Sequence, residues 1–339
     1  MSETLLQVEN LSILLQPTPN APKGRTLLET CSFALKAGER LTMVGESGAG
    51  KSLLAQAIMG TLPAALQASG SIRISGVATN GKRALTQPLW GHGVMMLPQE
   101  PWSALNPLMR MEGQVAEAAR YARGLAWPDA QDAAISRLQA LGLGPAAQQW
   151  LHQISGGMAQ RVGVACASVA DAKLLISDEP TKGLDPGACQ QVAQLLMAAQ
   201  SGGQGLLTIT HDLDLALQLG GQIAVMRQGR IVEHGPANQV LQAPQHAYTR
   251  DLVAAQPRHW PAYPFTDRSD APALLQATGL TKRFGARTLF DAMDLTLREG
   301  EVVAVSGPSG CGKTTLGNLL LGVVQADAGH VQRATNLPT

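Results

Sequence analysis

Net charge, cysteine and long apolar runs are all scarce in this sequence. It has 26 lysines and arginines against 25 aspartates and glutamates, a net charge of +1. That balance gives no electrostatic reason to expect nucleic acid or an acidic lipid surface as a partner. No apolar run approaches the roughly 20 residues that cross a bilayer. The opening "MSETLLQVEN" is acidic and lacks the basic-then-apolar order of a secretory signal. The expectation is a cytoplasmic chain that works at a membrane only through partners. The four cysteines, Cys31, Cys166, Cys189 and Cys311, show no paired spacing for zinc or an iron–sulfur cluster, so they read as buried or incidental thiols.

What the sequence has instead is an internal repeat. Its 339 residues, 45% hydrophobic, allow two domains or one large domain with a fragment. "TLLQVENLSILL" from Thr4 resembles "ALLQATGLTKRF" from Ala273, and "RTLLETCSFALKAGERLTMVGESGAGKS" from Arg25 resembles "RTLFDAMDLTLREGEVVAVSGPSGCGKT" from Arg287. The first copy is longer by the Pro-rich insert "QPTPNAP" from Gln16. The stretch "QPRHWPAYPFTDRSDAP", Gln256 to Pro272, has neither helical nor strand period and reads as a linker. The expected organisation is a complete domain at 1–255, a linker at 256–272, and the opening third of a second domain at 273–339. The repeat breaks off there, as an incomplete reading of a tandem protein would.

Each copy carries a Gly-rich loop between a β-prone run and an apolar-periodic segment, which is the context a phosphate-binding loop requires. In the first copy Gly45, Ser47, Gly48 and Gly50 let backbone N–H groups point inward at phosphate oxygens. A helix starting near Lys51 adds its positive end. Lys51 would reach the β- and γ-phosphates and Ser52 would offer a hydroxyl to Mg²⁺. Gly307, Ser309, Gly310, Gly312, Lys313, Thr314 and Thr315 repeat the pattern.

Two further stretches narrow the chemistry. "LLISDEP" ends an apolar strand in Asp178 and Glu179, which suits Mg²⁺ and water chemistry: Asp178 for the ion, Glu179 as general base. Alone, the pair could also be an ordinary strand-end acidic pair. "ISGGM" places Ser155, Gly156 and Gly157 before an apolar helix, a second anion site at a helix N-terminus or simple capping.

In combination these strings resemble the ATP-binding-cassette (ABC) ATPases. "GESGAGKS" is similar to Walker A, "ISGGM" to the signature, "LLISDEP" to Walker B and "KGLD" to the D-loop. "MMLPQEP" supplies Gln99, matching the glutamine loop, and "LLTITHDL" supplies His211, matching the switch histidine. The resemblance implies an α/β P-loop NTPase with a core mixed sheet, an antiparallel β subdomain and a helical subdomain, followed by a partial second copy. It further implies ATP and Mg²⁺ as ligands, with Glu179, His211 and Gln99 catalytic and Ser52, Gln99 and Asp178 around the metal.

"PWSALNPLMRMEGQVAEA" and "QVLQAPQHAYTRDLVAAQP" resemble the peptide and nickel importer ATPases, with Ala247 in place of the usual proline. No cysteine cluster follows, so no iron–sulfur cluster is carried over. Where relatives stack adenine on an aromatic, this chain has Leu15 in the first copy and Phe284 in the second, the latter a stacking or a core residue. The resemblance implies two cassettes closing head to tail on ATP, each signature completing the other's site. The second cassette would be the chain's own second half, another copy or a paralogue. The partners implied are polytopic membrane permease subunits, indirectly a solute-binding protein, and no nucleic acid. The site implied is the cytoplasmic face of the inner membrane. Two other readings remain open at this stage: an ATPase serving a non-transport assembly, or a nucleotide-binding remnant without turnover.

Overall fold

The computed structural model describes residues 3–17, 24–198, 203–261, 267–285, 287–307 and 311–334. Much of the Pro-rich insert, five residues of the expected linker, and Ser309 and Gly310 lie outside the described residues. The chain divides into two compact units, Met1–Trp260 and Pro261–Thr339.

The first unit opens with two long antiparallel strands, β1 (Thr4–Leu15) and β2 (Arg25–Lys36). Val8 and Leu11 of β1 are buried between polar neighbours, and Ile13 between Ser12 and the exposed Leu14, as a half-covered sheet requires. Next come β3 (Arg40–Val44), α1 (Lys51–Met59), β4 (Leu66–Ile74) and β5 (Val77–Ala78). β1, β2, β4 and β5 form an antiparallel sheet in the order β2-β1-β4-β5. α1 ends at Gly60, whose φ of 68° lets its N–H turn back to the Ala57 carbonyl.

The chain continues through β6 (Val94–Leu97), α2 (Met111–Arg123), α3 (Trp127–Ala140), α4 (Gly156–Val169) and β7 (Leu174–Asp178). It then runs through α5 (Pro186–Ala198), β8 (Gly205–Thr210), α6 (Leu213–Leu219), β9 (Gln222–Arg227), β10 (Arg230–Pro236), α7 (Ala237–Gln242) and α8 (Ala247–Ala254). A six-stranded sheet has the order β10-β9-β3-β8-β7-β6. Its strands are parallel from β9 to β6, and β10 runs antiparallel to β9. Every residue of β7 and β8 is buried, which explains their near-continuous apolar sequence.

This order sets the carboxyl ends of β3, β8, β7 and β6 side by side. The segments that follow them carry the phosphate loop, His211, Glu179 and Gln99. Residues far apart in sequence therefore meet at one edge of the sheet, where α/β folds bind ligands. One core, with Leu54 and Ile58 of α1, Ile72, Met43, Ile176 and Met226, joins the two sheets through α1. A second core, rich in alanine, packs α2, α3 and α4: Ala116, Ala119, Ala130, Ala134 and Ala159 are all fully buried there.

In the second unit β11 (Ala273–Phe284), β12 (Arg287–Arg298), α9 (Lys313–Leu321) and β13 (Ala328–Arg333) are present. The antiparallel order β12-β11-β13 parallels β2-β1-β4. "EVVAVSG", the counterpart of β3 and its first glycine, forms no strand, and Val302 is 94% exposed. The difference is physical: β3 is held between β8 and β9, and among the described residues no strand pairs with residues 301–307, so the ladder bonds that fix a parallel strand are missing there. Among the described residues no helix is long and apolar enough to cross a membrane.

Cys31 is 1% exposed, and burial pushes its thiol up to about 12, so it stays protonated at neutral pH. Alkylation of the folded chain at pH 7.5, mapped by mass spectrometry, should leave Cys31 unmodified until denaturant is added.

Candidate functional site

β3 delivers the chain into the loop at Gly45, where φ is +153° and a Cβ would lie 2.2 Å from the Met226 carbonyl oxygen of β9. Only glycine lets the loop leave the sheet so close to that strand. Gly50, at φ +99°, makes the left-handed turn that starts α1. Lys51, the first residue of the helix, curls back inside the loop. Its Nζ donates to the Gly45 carbonyl at 2.7 Å and to the Glu46 carbonyl at 3.0 Å. Burial pulls the proton affinity of Lys51 down, and the carboxylates of Glu179 and Asp178 oppose that shift.

The carboxylates come from β7. Asp178, 3% exposed, is pushed up by burial and held back by a hydrogen bond from the Ser52 side chain. Its Oδ1 is buried without a hydrogen-bond partner, an expensive arrangement for a carboxylate oxygen. Among the described residues no three His, Cys, Asp or Glu side chains converge as a metal cluster. The donor set here is one hydroxyl and one carboxylate with an orphaned oxygen. That set fits Mg²⁺, which takes one or two protein oxygens and completes its shell with phosphate and water.

Glu179 sits at φ +50°, a left-handed conformation that costs a non-glycine residue about 1–3 kcal/mol and persists only where surroundings enforce it. Three contacts with β8 and its end do so. The Glu179 N–H donates to the Ile209 carbonyl at 2.8 Å. The Thr210 hydroxyl donates to Oε2 at 3.1 Å, and His211 Nδ1 lies 2.9 Å from Oε1. A carboxylate oxygen only accepts, so with Glu179 ionised the imidazole proton sits on Nδ1. Both carboxylate oxygens are thereby oriented, and each keeps a lone pair for a water proton.

Lys51, Ser52 and Glu179 open onto a cleft of about 680 Å³, a volume typical of small-molecule sites; Asp178, Thr210 and His211 are not in its lining. Ser47, Gly48, Gly50, Lys51, Ser52, Gln99 and Glu179 line it. Leu15 is not in the lining; Arg25, Thr26 and Leu27 of β2, with Gln228, form that side instead. Ser155, Gly156 and Gly157 are not part of the cleft either. They start α4, where Ser155 Oγ accepts the Met158 N–H at 3.3 Å and Gly156 is exposed. α4 is tied to the carboxylate strand by Gln160, whose Nε2 donates to the Pro180 carbonyl at 3.0 Å.

Sequence reasoning missed Thr210 and Gln160. Thr210 adjoins His211 in "TITH", and its β-branched identity reads simply as strand; the signal appears only when β7 and β8 pair.

In the second unit Lys313 Nζ donates to the Gly307 carbonyl at 2.7 Å, with Gly307 at φ +157° and Gly312 at +102°. This is nearly the geometry of the first loop. Thr314 is exposed and Thr315 half-buried on α9. Phe284 is 55% exposed, with Lys282 Nζ 5.4 Å from its ring centroid.

A family model described as ABC transporter matches residues 28–182 and 290–338. The peptidoglycan transport ATP-binding protein YejF of Agrobacterium fabrum is 36% identical over 97% of this chain and 62% of its own length. The glutathione import ATP-binding protein GsiA of Escherichia coli is 32% identical over 96% of this chain and 59% of its own length. The chain thus spans less than two thirds of these curated relatives. Among solved structures, cbiO1 from Clostridium perfringens, part of the ABC transporter complex cbiONQ, aligns with TM-score 0.59 and 26% identity, covering 76% of this chain and 97% of that one. A dimeric post-hydrolysis state of the ATP-binding cassette MJ0796 bound to ADP and Pi aligns with TM-score 0.61 and 22% identity over 69% of this chain and 99% of that one, a likeness of fold.

Gly45→Ala should prevent the loop from closing on β9, with nucleotide affinity lost and the melting temperature of the first unit lowered, read by titration and calorimetry. Thr210→Val should lower kcat about tenfold or more, the worth of one hydrogen bond to a charged group, while ATP affinity stays within about twofold. Steady-state kinetics beside equilibrium binding separates the two effects.

Proposed function

The chain belongs to the ABC transporter family, and on that premise we propose that its first unit binds and hydrolyses ATP to energise an importer of peptides, glutathione-like or other small solutes. The observation that carries this reading is the convergence at one sheet edge of the Lys51 loop, the orphaned Asp178 oxygen and an oriented Glu179. Glutathione and peptidoglycan transport are named for the relatives; for this chain they mark the solute class.

In this mechanism the loop N–H groups and the start of α1 receive the phosphates, and Lys51 leaves the Gly45 and Glu46 carbonyls for the β- and γ-phosphates. Ser52 and Asp178 would hold Mg²⁺, and Gln99 lines the same cleft. When bound, the ion neutralises charge on the phosphate oxygens. Glu179 takes a proton from the attacking water, with Thr210 and His211 keeping its oxygens aimed. His211, which follows β8 and contacts Glu179, would reach the γ-phosphate. Ser155, Gly156 and Gly157 start α4, with Gly156 exposed and Gly157 buried, and would supply N–H donors to the ATP of a facing cassette.

The second unit is the opening part of a second cassette. Gly307, Gly312, Lys313, Thr314 and Thr315 form its phosphate loop, and Phe284 is its base-stacking residue. The carboxylates of the proposed reaction are Asp178 and Glu179 of the first unit. The partners are polytopic permease subunits, a second cassette and, through them, a solute-binding protein, with the chain peripheral on the cytoplasmic face of the membrane.

Two substitutions test the assignment. Lys51→Ala should abolish ATP binding by the first unit, and unchanged affinity there would sink the reading. Glu179→Gln should bind ATP like the native chain and lose hydrolysis; native turnover in that variant removes Glu179 from its role.

A further inference from the structure

The segment after β10 folds back on the nucleotide edge of the sheet. Glu233 of β10 accepts the backbone N–H groups of Gln245 at 2.8 Å and His246 at 3.0 Å. His246 Nδ1 in turn accepts the Tyr248 N–H at 3.2 Å, which caps α8. These bonds fix the start of α8 and drive the Tyr248 side chain inward, where the residue is only 8% exposed. The guanidinium of Arg227, the last residue of β9, lies 4.8 Å from the centre of its ring. At the far end of the ring the hydroxyl oxygen accepts the backbone N–H of Glu46 at 2.9 Å.

That last contact reaches into the phosphate loop. Glu46 follows Gly45, and the carbonyls of these two residues hold Lys51. The peptide groups around Glu46 are thus fixed from two sides: the carbonyls by the lysine, the N–H by the tyrosine. An N–H so engaged is not aimed at a phosphate. It sets the plane of the first turn and, with it, the direction of the loop amides that follow.

We propose that Tyr248 is a positioning residue of the phosphate loop, holding it in its nucleotide-receiving shape through the Glu46 N–H. The inference rests on the nucleotide-binding reading of the first unit and adds a role for the segment after the sheet. Burying a tyrosine here solely for packing would need the ring and not the oxygen. The hydroxyl is what the loop uses.

The test is Tyr248→Phe in the full chain, which keeps the ring beneath Arg227 and removes only the acceptor. ATP affinity measured by calorimetric titration with Mg²⁺ present should weaken about three- to tenfold, the worth of one buried hydrogen bond. The melting temperature without nucleotide should fall by only about 2–4 °C, the shift that losing one such hydrogen bond gives in a domain of this size. Amide hydrogen exchange should quicken in the peptide covering 44–50 and not in α8. Native ATP affinity in Tyr248→Phe, or faster exchange spread equally over α8, would overturn the proposal and leave Tyr248 a packing residue. If the native chain binds no ATP, the functional reading fails, and the exchange comparison still decides whether Tyr248 holds the loop.

Discussion

Lys51 places an ammonium, 7% exposed, at the floor of the cleft. Burial there favours losing the proton, and the carboxylates of Glu179 and Asp178, at the end of β7, favour keeping it. The loop carbonyls accept its hydrogen bonds at 2.7 and 3.0 Å, so the charge is compensated while the loop keeps its amide groups directed elsewhere. Every other feature of the first unit's site is arranged around this buried positive charge. β3 must end where it does to launch the loop, β7 must lie within reach to supply the carboxylates, and β8 must separate them to supply Thr210 and His211.

The strand order meets these demands at once. Because β8 lies between β3 and β7, the residue that ends β8 is beside the residue that follows β7, and the strained Glu179 is bonded through its backbone and both oxygens. The same parallel ladder explains the contrast with the second unit. There the glycine and lysine geometry of the loop is repeated, yet the apolar run before it stays exposed, with no strand paired to it among the described residues. A phosphate loop is thus a local structure, set by glycines and one lysine, whereas the edge that brings Glu179, Thr210 and His211 together is a property of the assembled sheet.

The legibility of the sequence divides along that line. The loop was readable because its glycines, lysine and serine lie within nine residues and their roles depend on backbone geometry that spacing determines. The strand before it and the helix after it were readable from hydrophobic period, and Ser155 from its position before an apolar helix. Thr210 was not, since its role appears only when β7 and β8 pair. Tyr248 was not, since it stands 202 residues from the amide it holds. The nucleotide side of the cleft shows the limit of aligning one copy on the other. That comparison singled out Leu15, whereas Arg25, Thr26 and Leu27 of the next strand line the cleft.

The central claim is that the ammonium of Lys51 exchanges the Gly45 and Glu46 carbonyls for nucleotide phosphate while the orphaned Asp178 oxygen gains Mg²⁺. The most direct measurement is a crystal structure of the full chain with Mg²⁺ and a slowly hydrolysed ATP analogue. The account predicts phosphate density inside residues 45–52, Lys51 Nζ turned onto it, and a metal joining Ser52, Asp178 and the phosphates. A nucleotide bound elsewhere, or Lys51 still seated on the two carbonyls with phosphate beside it, would contradict the account.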